Sequence, residues 1–147
     1  MAYQDLREFL DDLSAKGLLV ECQQELESPQ ELWAMLWELY ERKGPAVKVK
    51  IKGHDIPIVA NTYGSIDRWA MACGLPTGLS ESEYVERMTK LLSSRDSYVK
   101  PEIVDTAPCK EVIKKGDEVD LNEFPILQWH HLEGARYIEM GMVHTYD

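Results

Sequence analysis

The chain predicts an α/β (α+β) fold, on three observations. Apolar residues recur at helical spacing in four separate stretches before residue 95. Short alternating runs rich in Val and Ile fall between those stretches. Beyond RDSYVKPEIVDTAP the helical period disappears, and strand-like runs divided by Gly and Pro take over. An N-terminal α/β domain is therefore expected over residues 1–107, followed over 108–147 by a small antiparallel piece.

In YQDLREFLDDLSAKG, Leu6, Phe9, Leu10 and Leu13 share one helical face, and Gly17 supplies a left-handed stop. LLVEC then reads as a short strand. SPQELWAMLWELYERKGP is the clearest helix, with Ser28 as cap, Pro29 at the first position and Glu31 closing a Ser-x-x-Glu box. Leu32, Met35, Leu36, Leu39 and Tyr40 form its expected buried stripe. Trp33 and Trp37 lie beside it, expected to widen that buried face, with contact to another chain as the alternative.

AVKVKIKG alternates Val47, Val49 and Ile51 with Lys48, Lys50 and Lys52, a half-buried strand with a solvated cationic face. Gly53-His54-Asp55 turns into the strand IPIVA. Ser65 and Gly74 bracket a short helix, and Ser80 with Glu83 starts another, whose inner face is expected to hold Tyr84, Val85, Met88, Leu91 and Leu92. After the crossing segment, CKEVIKKGDEVDLNEFPILQW reads as strand, turns at Gly116-Asp117 and at Asp120–Phe124, then strand. EGAR turns into a last strand, YIEMGMVHTY. About three strands are too few to close a barrel.

Composition bounds the function. The 147 residues carry Asp+Glu 26 against Lys+Arg 16, a formal net charge of −10. Such a surface repels phosphate backbones and anionic lipid, so neither nucleic acid nor membrane is an expected partner. No stretch is apolar and long enough to span a bilayer, and the acidic N-terminus is unlike a signal peptide. Cys22, Cys73 and Cys109 are widely spaced, which fits free thiols in a reducing, cytoplasmic setting.

The sharpest chemical candidate is the trio His130, His131 and Glu133 before the last strand, with His144 on it. Neighbouring side chains on extended backbone diverge; these sit in a turn, which relaxes that constraint, yet a third firm ligand is missing, so polar turn residues are expected rather than a metal. A histidine base lacks a partner in register. No Gly-x-Ser-x-Gly or Cys–His arrangement offers a nucleophile, and GLPTG lacks the lysine of a phosphate loop. Met140 and Met142 read as core fillers. An unrelated histidine-based metal protein is the weakest of the readings.

Taken together and in order, YQDLREFLDDLSAKGLLV, KGHDIPIVANTYGSIDRWAMACGLP, CKEVIKKGDEVDLNEFPILQW and EGARYIEMGMVHTYD resemble the start of UbiD-type decarboxylases. The resemblance implies an N-terminal α/β domain and then the first strands of a split β-barrel that binds flavin, incomplete here. It implies reversible, non-oxidative decarboxylation of aromatic or α,β-unsaturated acids, using prenylated FMN with a divalent metal and K+ in the complete enzyme. It carries no catalytic or metal-binding residue onto this chain, because the family's motifs for those roles match no position here. No cofactor is expected in the isolated chain.

One position transfers. Members commonly read Gly-Arg-Tyr-Ile-Thr where this sequence has Ala135-Arg136-Tyr137-Ile138-Glu139, so Glu139 stands at the flavin-proximal threonine. A carboxylate beside a flavin costs desolvation unless protonated or paired. The expected partner is a UbiD-like catalytic chain or the rest of the same polypeptide, in a homo- or hetero-oligomer. Two readings follow: the N-terminal segment of such an enzyme, inactive alone, or a small non-catalytic subunit that docks on a complete one.

Overall fold

The computed structural model describes residues 3–94 and 98–138. Four helices are present among them: α1 (Leu6–Ala15), α2 (Pro29–Glu41), α3 (Ile66–Ala72) and α4 (Glu81–Ser93). Three strands, β1 (Leu19–Glu21), β2 (Ala46–Val49) and β3 (Ile58–Ala60), form one sheet in that order. β1 runs parallel to β2, with Val20 opposite Val47, and the crossover between them contains α2. β3 returns antiparallel, with Lys48 opposite Val59.

The caps explain where the helices begin. Asp5 accepts the Glu8 N–H at 2.9 Å, and Ser65 accepts the Arg68 N–H at 3.3 Å. Ser80 and Glu83 form the full reciprocal box expected from the sequence. At α2 the box is displaced: Ser28 does accept from the Glu31 N–H, but the Glu31 carboxylate takes the Glu27 N–H, at 2.9 Å. Gly17 and Gly74 adopt the left-handed conformation that ends α1 and α3.

Alternation along β2 puts apolar residues on both faces of the sheet. Ala46 packs with Phe9 and Leu13 of α1 and Met71 of α3. Val49 and Ile51 pack with Leu32 of α2 and with Leu127, a residue far along the chain. Leu13 and Leu32 are completely buried, worth roughly 2 kcal/mol each in hydrophobic transfer. The lysines of this segment lie outward as expected. Lys48 pairs with Glu21 at 3.0 Å and Lys52 with Glu27 at 2.9 Å.

Several expectations are corrected. Tyr40 is 73% exposed, so it leaves the buried stripe of α2, while Trp33 and Trp37 stay 49% and 55% exposed. Leu32 already fills the sheet-facing groove, which leaves the aromatic row on the helix flank. Leu6 is also mostly exposed, at the open end of α1. On α4, Tyr84 and Met88 are half-buried but Val85, Leu91 and Leu92 are exposed, because α4 packs beside α3 and lies off the sheet.

The largest difference lies beyond residue 98. The turns expected at Gly116-Asp117 and Asp120–Phe124 are there, as 3-10 turns Gly116–Glu118 and Leu121–Glu123. The strands expected on either side of them are not. Pro108–Lys110 is a third 3-10 turn, and no described residue after Ala60 belongs to a strand. Strand geometry is fixed by a neighbour's hydrogen-bond ladder, and no described part of this stretch joins one. Val99, Ile103 and Val112 accordingly remain exposed.

Candidate functional site

The face that gathers the sequence's candidates is the flank of α2 where residues 126–133 return to it. Leu127 anchors that return in the core beside Leu32, and Trp129 follows it. The Gln30 amide donates to the Gln128 carbonyl at 3.0 Å, tying the first turn of α2 to the returning segment. Trp129 meets Trp33 edge-on, with centroids 6.1 Å apart, and Trp33 is followed by Trp37 at 6.3 Å and Tyr40 at 6.5 Å from Trp37. Residues 33, 37 and 40 share one helical flank, which is why they line up.

A turn at 130–132 closes the segment. The Glu133 carboxylate accepts the Trp129 N–H at 2.9 Å, and the Gln128 amide donates to the Glu133 carbonyl at 2.7 Å. His130 Nδ1 accepts the Leu132 N–H at 3.2 Å. The sequence places His130 and His131 in a turn with Glu133, and there their rings stack 4.4 Å apart, because the backbone turns rather than extends. Trp33, Leu36, Trp129, His130 and Glu133 line an open cleft of about 470 Å³.

One oxygen of Glu133 and one nitrogen of His130 are committed to local structure. Glu133 and His130 each hold a backbone N–H, and among the described residues no three His, Cys, Asp or Glu side chains group to hold a metal. Every described buried side-chain polar atom also has a hydrogen-bond partner. The described residues therefore do not assemble a donor set for a metal–phosphate group. Glu139, His144, Met140 and Met142 lie outside the described residues.

A second polar cluster escaped sequence reasoning. Arg68 is 2% exposed, and its guanidinium donates to the carbonyls of Thr62 (3.2 Å), Asn61 (3.2 Å) and Gly44 (3.1 Å). Burial pushes its pKa down. The Asn61 amide adds bonds to the Gly44 and Pro45 carbonyls, and Asn61 itself sits at φ 55. This knot joins the end of α2 to the β3–α3 loop. It is structural: Nε and Nη2 of Arg68 and the Asn61 amide all donate to backbone carbonyls of the two loops they join. An arginine on a short amphipathic helix carries no local mark of burial.

Other titratable groups are perturbed at the surface. Tyr3 is pushed up to about 12, first by its hydrogen bond to Asp12, and Asp12 is lowered by Lys16 and then by Tyr3. Glu83 is lowered by the Ser80 hydroxyl and backbone N–H, and Asp120 by the backbone and side chain of Asn122. The Glu83 and Asp120 shifts follow from capping and turn formation, and those of Tyr3 and Asp12 from side-chain pairing along α1.

A parallel β1–α2–β2 unit with an antiparallel third strand, followed by an extended return onto α2, makes a mixed α/β fold. The sequence model of the 3-octaprenyl-4-hydroxybenzoate carboxy-lyase N-terminal domain matches residues 10–92, and that of the Rift-related domain of the same enzyme matches residues 102–147. The chain belongs to the UbiD family. Among solved structures it is similar to the vanillic acid decarboxylase (ShVdcCD) of Sedimentibacter hydroxybenzoicus. The open form, and the open form with a truncated VdcD chain, each match at 30% identity and TM-score 0.81 over 92% of this chain. The closed form matches at 30% identity and TM-score 0.79, again over 92%. This chain spans only 30% of the open-form decarboxylase chains and 29% of the closed-form one. No described helix is long and apolar enough to cross a membrane.

Proposed function

We propose that this chain is the N-terminal segment of a prenylated-FMN-dependent, non-oxidative (de)carboxylase of aromatic or α,β-unsaturated acids, acting in the cytoplasm. In this reading residues 1–107 are the N-terminal domain and 108–147 open the split barrel that takes the flavin. The supporting observation is the ordered match of both family domains, 10–92 and 102–147, on one short chain. When bound, the flavin supplies an electron sink for the carbon–carbon bond that breaks as carbon dioxide leaves. The part given to this chain is to pack against the barrel, with Glu139 near the flavin. Among the described residues no three His, Cys, Asp or Glu side chains group to hold a metal.

A second reading makes the chain a small non-catalytic subunit that docks on a complete UbiD-type chain. The half-exposed aromatic row on α2 favours it. One assay separates both from a self-sufficient enzyme. The purified chain, supplied with prenylated FMN, Mn2+ and K+, is expected to retain no flavin absorbance after desalting and to release no carbon dioxide from vanillate. Turnover by the chain alone would refute the proposal.

A further inference from the structure

We infer that the Trp33–Trp37–Tyr40 row on α2 is the seat for the remainder of the Rift-related domain of a UbiD-type chain. The inference rests on the reading above and adds the contact surface. Its first ground is continuity. The part of the Rift-related domain present here already lies on this helix: Leu127 is buried against Leu32, the Gln128 carbonyl is bonded to Gln30, and Trp129 stands edge-on to Trp33. Trp37 and Tyr40 continue the same row one and two turns further, over roughly 10 Å of helix axis. No described residue covers them, and they are 55% and 73% exposed.

The second ground is the length of the relatives. The decarboxylase chains that share this fold run to more than three times the matched stretch, since the match takes up 30% of them. Those chains therefore carry further sequence with which to reach the surface at Trp37 and Tyr40.

The third ground is charge. Around α2 the aromatic row separates the buried stripe from an acidic one holding Glu31, Glu38 and Glu41. A fitting partner has apolar side chains at its centre and Lys or Arg at its rim, facing Glu41, since Glu38 is already paired with Arg42 at 2.8 Å. A second copy is the poorer occupant. Each chain has formal charge −10, and a two-fold pairing of this face would set like acidic margins against each other. Exposed Trp and Tyr side chains in a row are the residue types that dominate such contacts.

The test is complementation in trans. The probe is the S. hydroxybenzoicus vanillic acid decarboxylase chain with its matched N-terminal stretch removed, co-expressed with the tagged 147-residue chain. Capture on the tag and prenyl-flavin absorbance of the captured complex are read together. The wild-type chain is expected to capture the probe, Trp37→Ala/Tyr40→Ala to weaken capture at least tenfold, and Leu92→Ala, an exposed control on α4, to leave it unchanged. A fusion placing this chain where the removed stretch was covers the case in which the trimmed probe does not fold. In it the double substitution is expected to lower flavin occupancy by a similar factor.

Equal capture or equal occupancy with the double substitution overturns the inference. So does failure of the wild-type chain in both formats, or a self-association of the chain alone that the double substitution abolishes. Carbon dioxide release by the chain alone would instead sink the functional proposal, and it is measured separately.

Discussion

Replacing Arg68 tests the buried knot most directly. Arg68→Ala removes three hydrogen bonds, but the loss is unequal. The Gly44 carbonyl keeps the Asn61 amide at 3.2 Å, and the Asn61 carbonyl keeps the Gly64 N–H at 3.2 Å. Among the described bonds, only the Thr62 carbonyl loses its donor. One stranded buried acceptor costs about 1–3 kcal/mol, and two weakened ones add about 1 kcal/mol together. With the void left by the side chain, the total is about 3 kcal/mol, or a fall in Tm of roughly 10 °C for a domain of this size. Thermal unfolding followed by circular dichroism, with urea unfolding in parallel, measures it. Arg68→Met restores the volume without the donors, so it is expected to recover less than half of the loss. Full recovery by methionine, or a fall below 2 °C for alanine, would show that packing rather than carbonyl satisfaction holds this loop.

Four further outcomes are expected. Gly64→Ala places a Cβ 2.0 Å from Asn61 Oδ1 and 2.7 Å from Arg68 Nη2, inside a knot that has no slack, so a loss of about 2 kcal/mol or more is expected in urea unfolding. Leu127→Ala opens the second core cluster and costs about 3 kcal/mol, with a red shift of tryptophan emission as Trp129 lifts from Trp33. The folded pKa of Glu83 is depressed, so its contribution is present above the ordinary glutamate range and lost as pH falls through the lowered value. Ser80→Ala is expected to move the Glu83 carboxyl titration upward by NMR and narrow that loss. Tyr3 is raised to about 12, so its contribution is complete below the ordinary tyrosine range and lost as pH rises through about 12. Asp12→Asn is expected to bring its ultraviolet titration back down.

The sequence revealed most where structure is set locally. Ser65, Ser80 and Gly74 mark helix ends by capping bonds and left-handed backbone, which act within a few residues. The alternation of Val47, Val49 and Ile51 with lysines marked β2 and its lysines, but not the burial of Ala46 on the Lys48 side against α1 and α3. What escaped depends on distant partners. Tyr40 obeys the spacing of a buried residue, yet only its helix neighbour Trp37 meets it among the described ring contacts and it stays 73% exposed. The segment after residue 98 has strand composition without a ladder to join. His130 and His131 fall in the expected turn, but the stacking of their rings depends on its exact backbone path and is not set by spacing. The burial of Arg68 requires carbonyls from two other loops to converge, and no short motif announces that.

The insertion of Leu127 beside Leu32, Val49 and Ile51 has a practical consequence. A cut at residue 107, natural by composition, would pull one wall from the older part of the molecule and leave an oily notch open to water. Protease or deuterium-exchange mapping should then find the two family domains opening as one cooperative block, with the Gln30–Gln128 clasp closing only after nearly the whole chain is in place.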